Sequence, residues 1–372
     1  MKFIEARRRV CITAALLTAA SGAFAQANDV RIGFIGPTKS LIGKQLVQGA
    51  QLAVDFVNAE GGVVGGRKVQ LVVYDTNFQA NEGVSATQRL LTQDGVKVIV
   101  GEISSTVALA TLQLARASDA VFVSAVPKHP DLTKSGYDKV FRLNSTTEMD
   151  SQFVKDLKAD PKVQKVALIA ENSDLGRVTI DGMKSILGPR LVMADTYEMN
   201  QSEFSTLVTK SKASGADTVC LAGSNMEQYG NILRLADELK VPARRCVLPG
   251  FLNSRGVQIG GAGAEGAFSA DIYITALDNP LNQRFVKAYE AKYKETPEKV
   301  EALGFESVWL AAQAMKKAGS VDDTAKIARA LHDGTWDTPR GRVTFDATGQ
   351  STNGGLIPVT VKAGKLIVDN KR

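Results

Sequence analysis

The chain has 372 residues, 44% of them hydrophobic and 23% charged, with a formal charge of +6. That length suits two ordinary domains, and that composition suits packed, water-soluble cores. The charge is too mild for a nucleic-acid partner, and no basic run with interleaved aromatics occurs.

Half of the charge excess sits at the start, where Lys2, Arg7, Arg8 and Arg9 face only Glu5. Residues 1–25 read as a secretory signal peptide. The arginines form a positive n-region, 10–20 is the apolar stretch, and Ala23-Phe24-Ala25 is a small-x-small cleavage pattern before Gln26. The stretch is shorter than the roughly 18–20 residues of a bilayer span. Cys11 lacks the flanking residues of a lipid-attachment site. The expectation is a free periplasmic protein.

Strand and helix patterns then alternate. Residues 30–35 form an apolar run ending at Gly36-Pro37. A helix follows with Leu46, Ala50, Ala53, Val54 and Val57 on one face, stopped by Gly61-Gly62. Strands are expected at 69–74, 96–100 and 121–126, with helices at 80–93 and from Ser104-Ser105-Thr106 onward. Apolar runs without alternation suit strands covered on both faces, and repeated βα units point to parallel, doubly wound sheets.

A short strand at 139–143 leads into Asn144-Ser145-Thr146-Thr147, and the pattern restarts. The second series has strands at 165–170, 190–197, 216–222 and 245–249. Helices lie between them at 176–187, 203–214 and 226–240. Strand 267–274 leads into helices at 280–295, 303–318 and 322–333, and 341–368 is β-like. Three helices and a β tail are too little for a third domain, so they complete the first two. Cys220 and Cys246 fall in strand-like segments. A disulfide and a pair of buried thiols are both open, since sequence does not set the geometry.

Enzyme signatures are missing. Gly261-Ala262-Gly263-Ala264-Glu265-Gly266 matches G-x-G-x-x-G, but a strand follows the glycines where a dinucleotide site needs a helix, so a turn is expected. There is no Walker pattern, no G-x-S-x-G elbow, no H-E-x-x-H and no Cys/His metal spacing. His129 and His332 are the only histidines. No cofactor and no metal are expected. What remains are polar clusters at strand ends, where open α/β sheets bind ligands. Ser104 and Ser105 open a helix whose backbone N–H groups suit a carboxylate. Ser124 and Lys128 flank strand 121–126, Asp174 and Leu175 follow 165–170, Ser224 and Asn225 follow 216–222, and Phe251 follows 245–249.

With these segments in order, the chain resembles the type I periplasmic binding proteins of ABC importers, in the Leu/Ile/Val-binding branch. The resemblance covers nearly all of 29–372. It is carried by 32–37 (IGFIGP), 49–62 (GAQLAVDFVNAEGG), 72–75 (VVYD), 98–105 (VIVGEISS), 130–137 (PDLTKSGY), Phe141-Arg142 and 304–319 (GFESVWLAAQAMKKAG). It implies an α/β fold of two Rossmann-like lobes with parallel sheets, joined by three crossovers near 143–147, 272–276 and 334–340. The expected N-terminal lobe is 26–145 plus 275–336, and the C-terminal lobe is 146–274 plus 337–372. It also implies capture of a small carboxylate-bearing solute by hinge closure, then docking on ABC permease subunits in the inner membrane. A monomer is the default, and nucleic acid is not a partner. A sensor of the same fold is the alternative.

The residues carry over unevenly. Ser105, with Ser104 beside it, matches the family's carboxylate-binding serine. Val126 and Lys128 stand where a small residue and a threonine bind carboxylate and ammonium. Leu175 stands where an aromatic covers the ligand. The acid that holds the ammonium falls near Gly250, with Phe251 next. Loop 36–44 is short and lacks its tryptophan, and Phe78 and Ser104 occupy the places of a small-loop disulfide. The implied ligand residues are therefore Ser104, Ser105, Ser124, Val126, Lys128, Asp174, Leu175, Asn225 and Phe251. An organic or aromatic acid without an amine, and a branched-chain-type amino acid, both remain open.

Overall fold

The computed structural model describes residues 29–352 and 355–369, so the signal-like segment 1–25 lies outside the described residues. The first series runs β1 (Val30–Gly36), α1 (Leu41–Ala59), β2 (Val69–Asp75), α2 (Ala80–Thr92), β3 (Val98–Gly101), α3 (Ser105–Ala117), β4 (Val121–Ser124), α4 (Asp131–Lys134) and β5 (Val140–Arg142). The second runs α5 (Thr147–Ala159), β6 (Val166–Glu171), α6 (Asp174–Leu187), β7 (Leu191–Tyr197), α7 (Ser205–Ala213), β8 (Thr218–Ala222), α8 (Met226–Glu238), β9 (Arg244–Val247), α9 (Ser254–Gly260) and β10 (Phe268–Asp271). Then come α10 (Pro280–Tyr293), α11 (Lys299–Ala318), α12 (Thr324–His332), β11 (Trp336–Thr338), β12 (Gly341–Phe345), β13 (Ser351–Thr352), β14 (Ile357–Lys362) and β15 (Lys365–Val368).

Two lobes form around two sheets. The first sheet is parallel, in the order β2-β1-β3-β4-β5. In the second, β7-β6-β8-β9-β10 repeats that order in parallel, and β14 and β15 extend it antiparallel. The strand order reverses at β1/β3 in one lobe and at β6/β8 in the other, and a doubly wound sheet opens its ligand crevice at such a reversal. Every residue of β3, β4, β6 and β8 is buried, as apolar runs without alternation require.

Helix α11 packs along α1 at very close range. A side-chain carbon at Gly49 would strike the Glu301 backbone, and one at Gly304 would strike the backbone of Leu46. Phe56 and Phe305 meet edge-on beside that crossing, 5.2 Å apart. This seam ties α11, late in the sequence, to the first sheet, so the N-terminus of α11 stands at the crevice.

The tail divides differently from the expected boundary at 336. Arg142 donates its N–H to Gly349, Ser351 donates its hydroxyl to Leu143, and Phe345 packs on Phe141. Residues 336–352 therefore lie with the first sheet, and only β14 and β15 join the second. Here β11, β12 and β13 form a small antiparallel sheet of their own, joined to β5 by an isolated bridge between Arg142 and Gln350, a contact that no local pattern encodes. The glycines at 261–266 form a single helical turn over Gly261–Ala264 before β10, as expected of a turn. Cys220 and Cys246 are in-register neighbours on β8 and β9, both buried and held as thiols. Among the described residues, no helix is long and apolar enough to cross a membrane, and no three metal-suited side chains converge.

Candidate functional site: the cleft between the lobes

A cavity of about 1180 Å³ opens between the carboxyl ends of the two sheets. Its apolar wall includes Leu41, Ile42, Ile103, Val126, Leu175 and Phe251, and its polar groups include Gln45, Lys128, Ser224, Asp271 and Lys299. Of the residues expected from sequence, Val126, Lys128, Leu175 and Phe251 reach the cavity, and Ser104, Ser105, Ser124, Asp174 and Asn225 do not line it.

The first-lobe wall turns on Glu102. It is fully buried and left-handed, at φ 67°. One carboxylate oxygen accepts the N–H groups of Ile103 (2.8 Å) and Ser104 (2.9 Å), and the other accepts the Thr76 hydroxyl (3.0 Å). Burial pushes its carboxyl up to about 7, while those two N–H donors oppose the shift. Helix α3 then starts without a side-chain cap, because the hydroxyl of Ser104 makes no such bond and is buried without a partner among the described residues. Ser105 is already engaged, its hydroxyl accepting from Lys128 and His129 N–H at 3.3 and 3.4 Å. The hydroxyl of Ser124 is also buried without a described partner.

The segment after β4 is set by Arg142, which donates to the carbonyls of Lys128 and His129 at 2.7 Å each. From there the Lys128 ammonium crosses the cleft. It bonds Asp150 of α5 at 2.6 Å and the carbonyl of Pro249 at 2.9 Å, and lies 5.5 Å from the centre of the Phe251 ring. A second lysine enters beside it. Lys299, in the first turn of α11, donates to the carbonyl of Gly250 and sits 3.5 Å from Asp271 at the end of β10. Gly250 has φ 81°, and a side-chain carbon there would lie 2.5 Å from the Lys299 ammonium and 3.8 Å from that of Lys128. Gly250 stands at the place of the family's ammonium-binding acid, so that position supplies none, but acids do reach this end: Asp150 and Asp271 are each paired with a lysine.

The remaining acids at this end are engaged by backbone. Glu298 accepts the N–H and hydroxyl of Ser254 and caps α11. Glu301 closes the same capping box through the Glu298 N–H, and burial pushes its carboxyl up to about 8.

The second-lobe wall uses helix starts. Glu171, buried at the end of β6, accepts the N–H of Ser224. Asn225 caps α8 through the N–H of Glu227. Asp174 is held by Arg177 and Thr106, a contact between α6 and α3 across the rim. Sequence reasoning missed Gln45, Asp150, Asp271 and Lys299. Asp271 was accessible to the strand-end rule, but the expected strand ran on to 274. Gln45, whose buried carbonyl oxygen has no described partner, carried no local signal.

Residues 29–365 match the model of the periplasmic binding protein family. The Leu/Ile/Val-binding protein homolog 3 of Brucella melitensis is 30% identical over 95% of this chain and 96% of its own. The Leu/Ile/Val-binding protein of Escherichia coli K12 is 28% identical, covering 87% and 89%. Among solved structures, the substrate-binding protein LivJ of Streptococcus pneumoniae in complex with isoleucine superposes with a TM-score of 0.82. It is 25% identical over 91% of this chain and 97% of that one. A solute-binding protein of an ABC transporter from R. palustris, in complex with benzoate, also reaches 0.82, at 20% identity over 91% and 95%. The chain belongs to the periplasmic binding protein family, in the type I class of ABC importers. It is a solute-binding protein and not an enzyme.

Proposed function

We propose that this chain is the periplasmic component of an ABC importer, that it captures a small carboxylate-bearing solute between its lobes, and that the closed form docks on the permease. The cleft itself carries the reading: about 1180 Å³ at the strand-order reversal of both sheets, lined by apolar side chains of both lobes and by polar and charged groups. The solute carboxylate is assigned to the N-terminus of α3, which has no side-chain cap. The Ser104 hydroxyl, without a described partner, lies one residue behind Ile103 of the cavity wall, so the assignment requires closure to bring the solute past that wall. Closure would be a hinge motion about the segments that pass between lobes near 143–146 and 272–279.

Native mass spectrometry of the purified chain, followed by small-angle scattering with and without the released solute, tests this. The expected result is a bound small molecule whose removal increases the radius of gyration. A chain that retains nothing and does not change shape with any organic anion or amino acid contradicts the proposal.

A further inference from the structure

We infer that the solute is a carboxylate with an apolar body and no ammonium group, because two buried lysines already occupy the acids and carbonyls that would receive one. The inference rests on the solute-binding reading above and narrows it. Lys128 and Lys299 each reach a second-lobe carbonyl, Pro249 and Gly250, and each has its own carboxylate, Asp150 and Asp271. Side-chain exposure is 2% for Lys128, 6% for Lys299 and 7% for Asp271, so little water screens them.

An amine brought to this end of the cleft meets two ammonium groups. Among the described residues lining the cavity, the acids are Asp271, Glu295, Glu298 and Glu301. Asp271 is paired with Lys299, Glu298 is bonded to Ser254, Glu301 is buried in the capping box, and Glu295, though on the cavity lining, is exposed to water that screens it. A ligand ammonium would be stripped of water with no ionised acceptor of its own, and it would be repelled by its neighbours. A carboxylate at the start of α3 meets the unpaired Ser104 hydroxyl, and the acids nearby are already bonded, Glu102 to the N–H groups of Ile103 and Ser104 and Asp174 to Thr106 and Arg177. The apolar wall accepts a hydrocarbon or aromatic body. Asp150 and Asp271 balance the two lysines, so the cluster excludes an amine without demanding a second anionic group.

The test is titration calorimetry of the mature chain with pairs that differ only by the amine: leucine against isocaproate, and phenylalanine against hydrocinnamate. A thermal-shift screen of amino acids and amine-free carboxylates extends the set. In at least one pair the amine-free acid is expected to bind tighter by roughly tenfold or more. Lys299→Gln leaves Asp271 without its cation, so the preference is expected to shrink by roughly fivefold or more in that variant. Equal or tighter binding of the amino acids overturns the inference, as does stabilisation only by neutral or cationic solutes. The first outcome leaves the solute-binding reading in place, and the second leaves solute capture in place but overturns the carboxylate in that reading. No solute-dependent change of any kind overturns both. An unchanged ratio in a folded Lys299→Gln chain overturns the role given to the lysine. Should that variant not fold, the wild-type ratio decides alone.

Discussion

The N–H groups of Ile103 and Ser104 are held by an acid one and two residues behind them, whereas the carbonyls of Pro249 and Gly250 are held by lysines from distant elements. Glu102 bonds the N–H groups one and two residues ahead of it. Pro249 is bonded by a residue 121 positions away, and Gly250 by one 49 positions away. The first loop is a turn closed by its own acid and tied to the rest of its lobe through Ile35, Thr76 and Val126, and it presents a helix start. The second is a long-range device that joins the lobes and sets the charge of the cleft. The two should therefore respond differently to substitution.

The largest expected effect is at Lys128. Lys128→Met leaves Asp150 largely buried without its partner, and breaking a buried pair costs about 3–5 kcal/mol. Urea denaturation is expected to show a loss of that size, and Lys128→Met with Asp150→Leu is expected to recover most of it, since an apolar pair of similar volume carries no stranded charge. If the double variant is no more stable than the single one, the lysine is not held by that acid and the contrast between the loops fails.

The local loop is expected to respond to pH. Glu102 has its carboxyl at about 7, above its ordinary 4.5. Between those values the folded chain keeps a proton that the unfolded chain has released. Its favourable contribution is thus complete below about 4.5 and is lost as pH rises through 7. At about 1.4 kcal/mol per pK unit, wild type should lose roughly 3 kcal/mol relative to Glu102→Gln across that window. Thermal melts of both chains from pH 4.5 to 8 check this. Parallel curves would mean that Glu102 stays ionised, held by its donors against burial.

The same contrast marks what could be read from sequence. The alternation of apolar runs and helix faces was legible because it is local, and the same five-strand parallel order in both lobes follows from it. Val126, Lys128, Leu175 and Phe251 were legible as strand-end positions and do reach the cavity. The partners of Lys128 were not, because Asp150 looks like any acid in the first turn of a helix and Pro249 contributes only a carbonyl. Lys299 was hidden for a similar reason: it reaches the cleft only because α11 folds back along α1. The tail after 336 was misplaced because its small sheet docks on the first lobe through isolated long-range contacts, such as Arg142 with Gln350, that leave no periodic trace. Asn225 followed the strand-end rule but caps a helix. That rule finds loops facing the crevice and does not say which of their side chains are already engaged.

Asp174 gives the smallest effect and separates position from engagement. It follows the strand end β6 and so qualified as a ligand residue from sequence, yet its carboxylate is held by Arg177 and by Thr106 across the rim. Its side chain is 30% exposed and that of Arg177 60%, so water screens the pair and little free energy rides on it. Asp174→Ala is therefore expected to change solute affinity by less than about fivefold, the scale of an exposed pair of at most about 1 kcal/mol. A direct contact with a buried solute would cost more, because the partner group would lose a charged hydrogen bond inside the cleft. Calorimetry with the best-binding acid distinguishes the two. A loss of two orders of magnitude would return Asp174 to the ligand and place the solute further toward the α3–α6 rim than the α3 N-terminus assigned to its carboxylate.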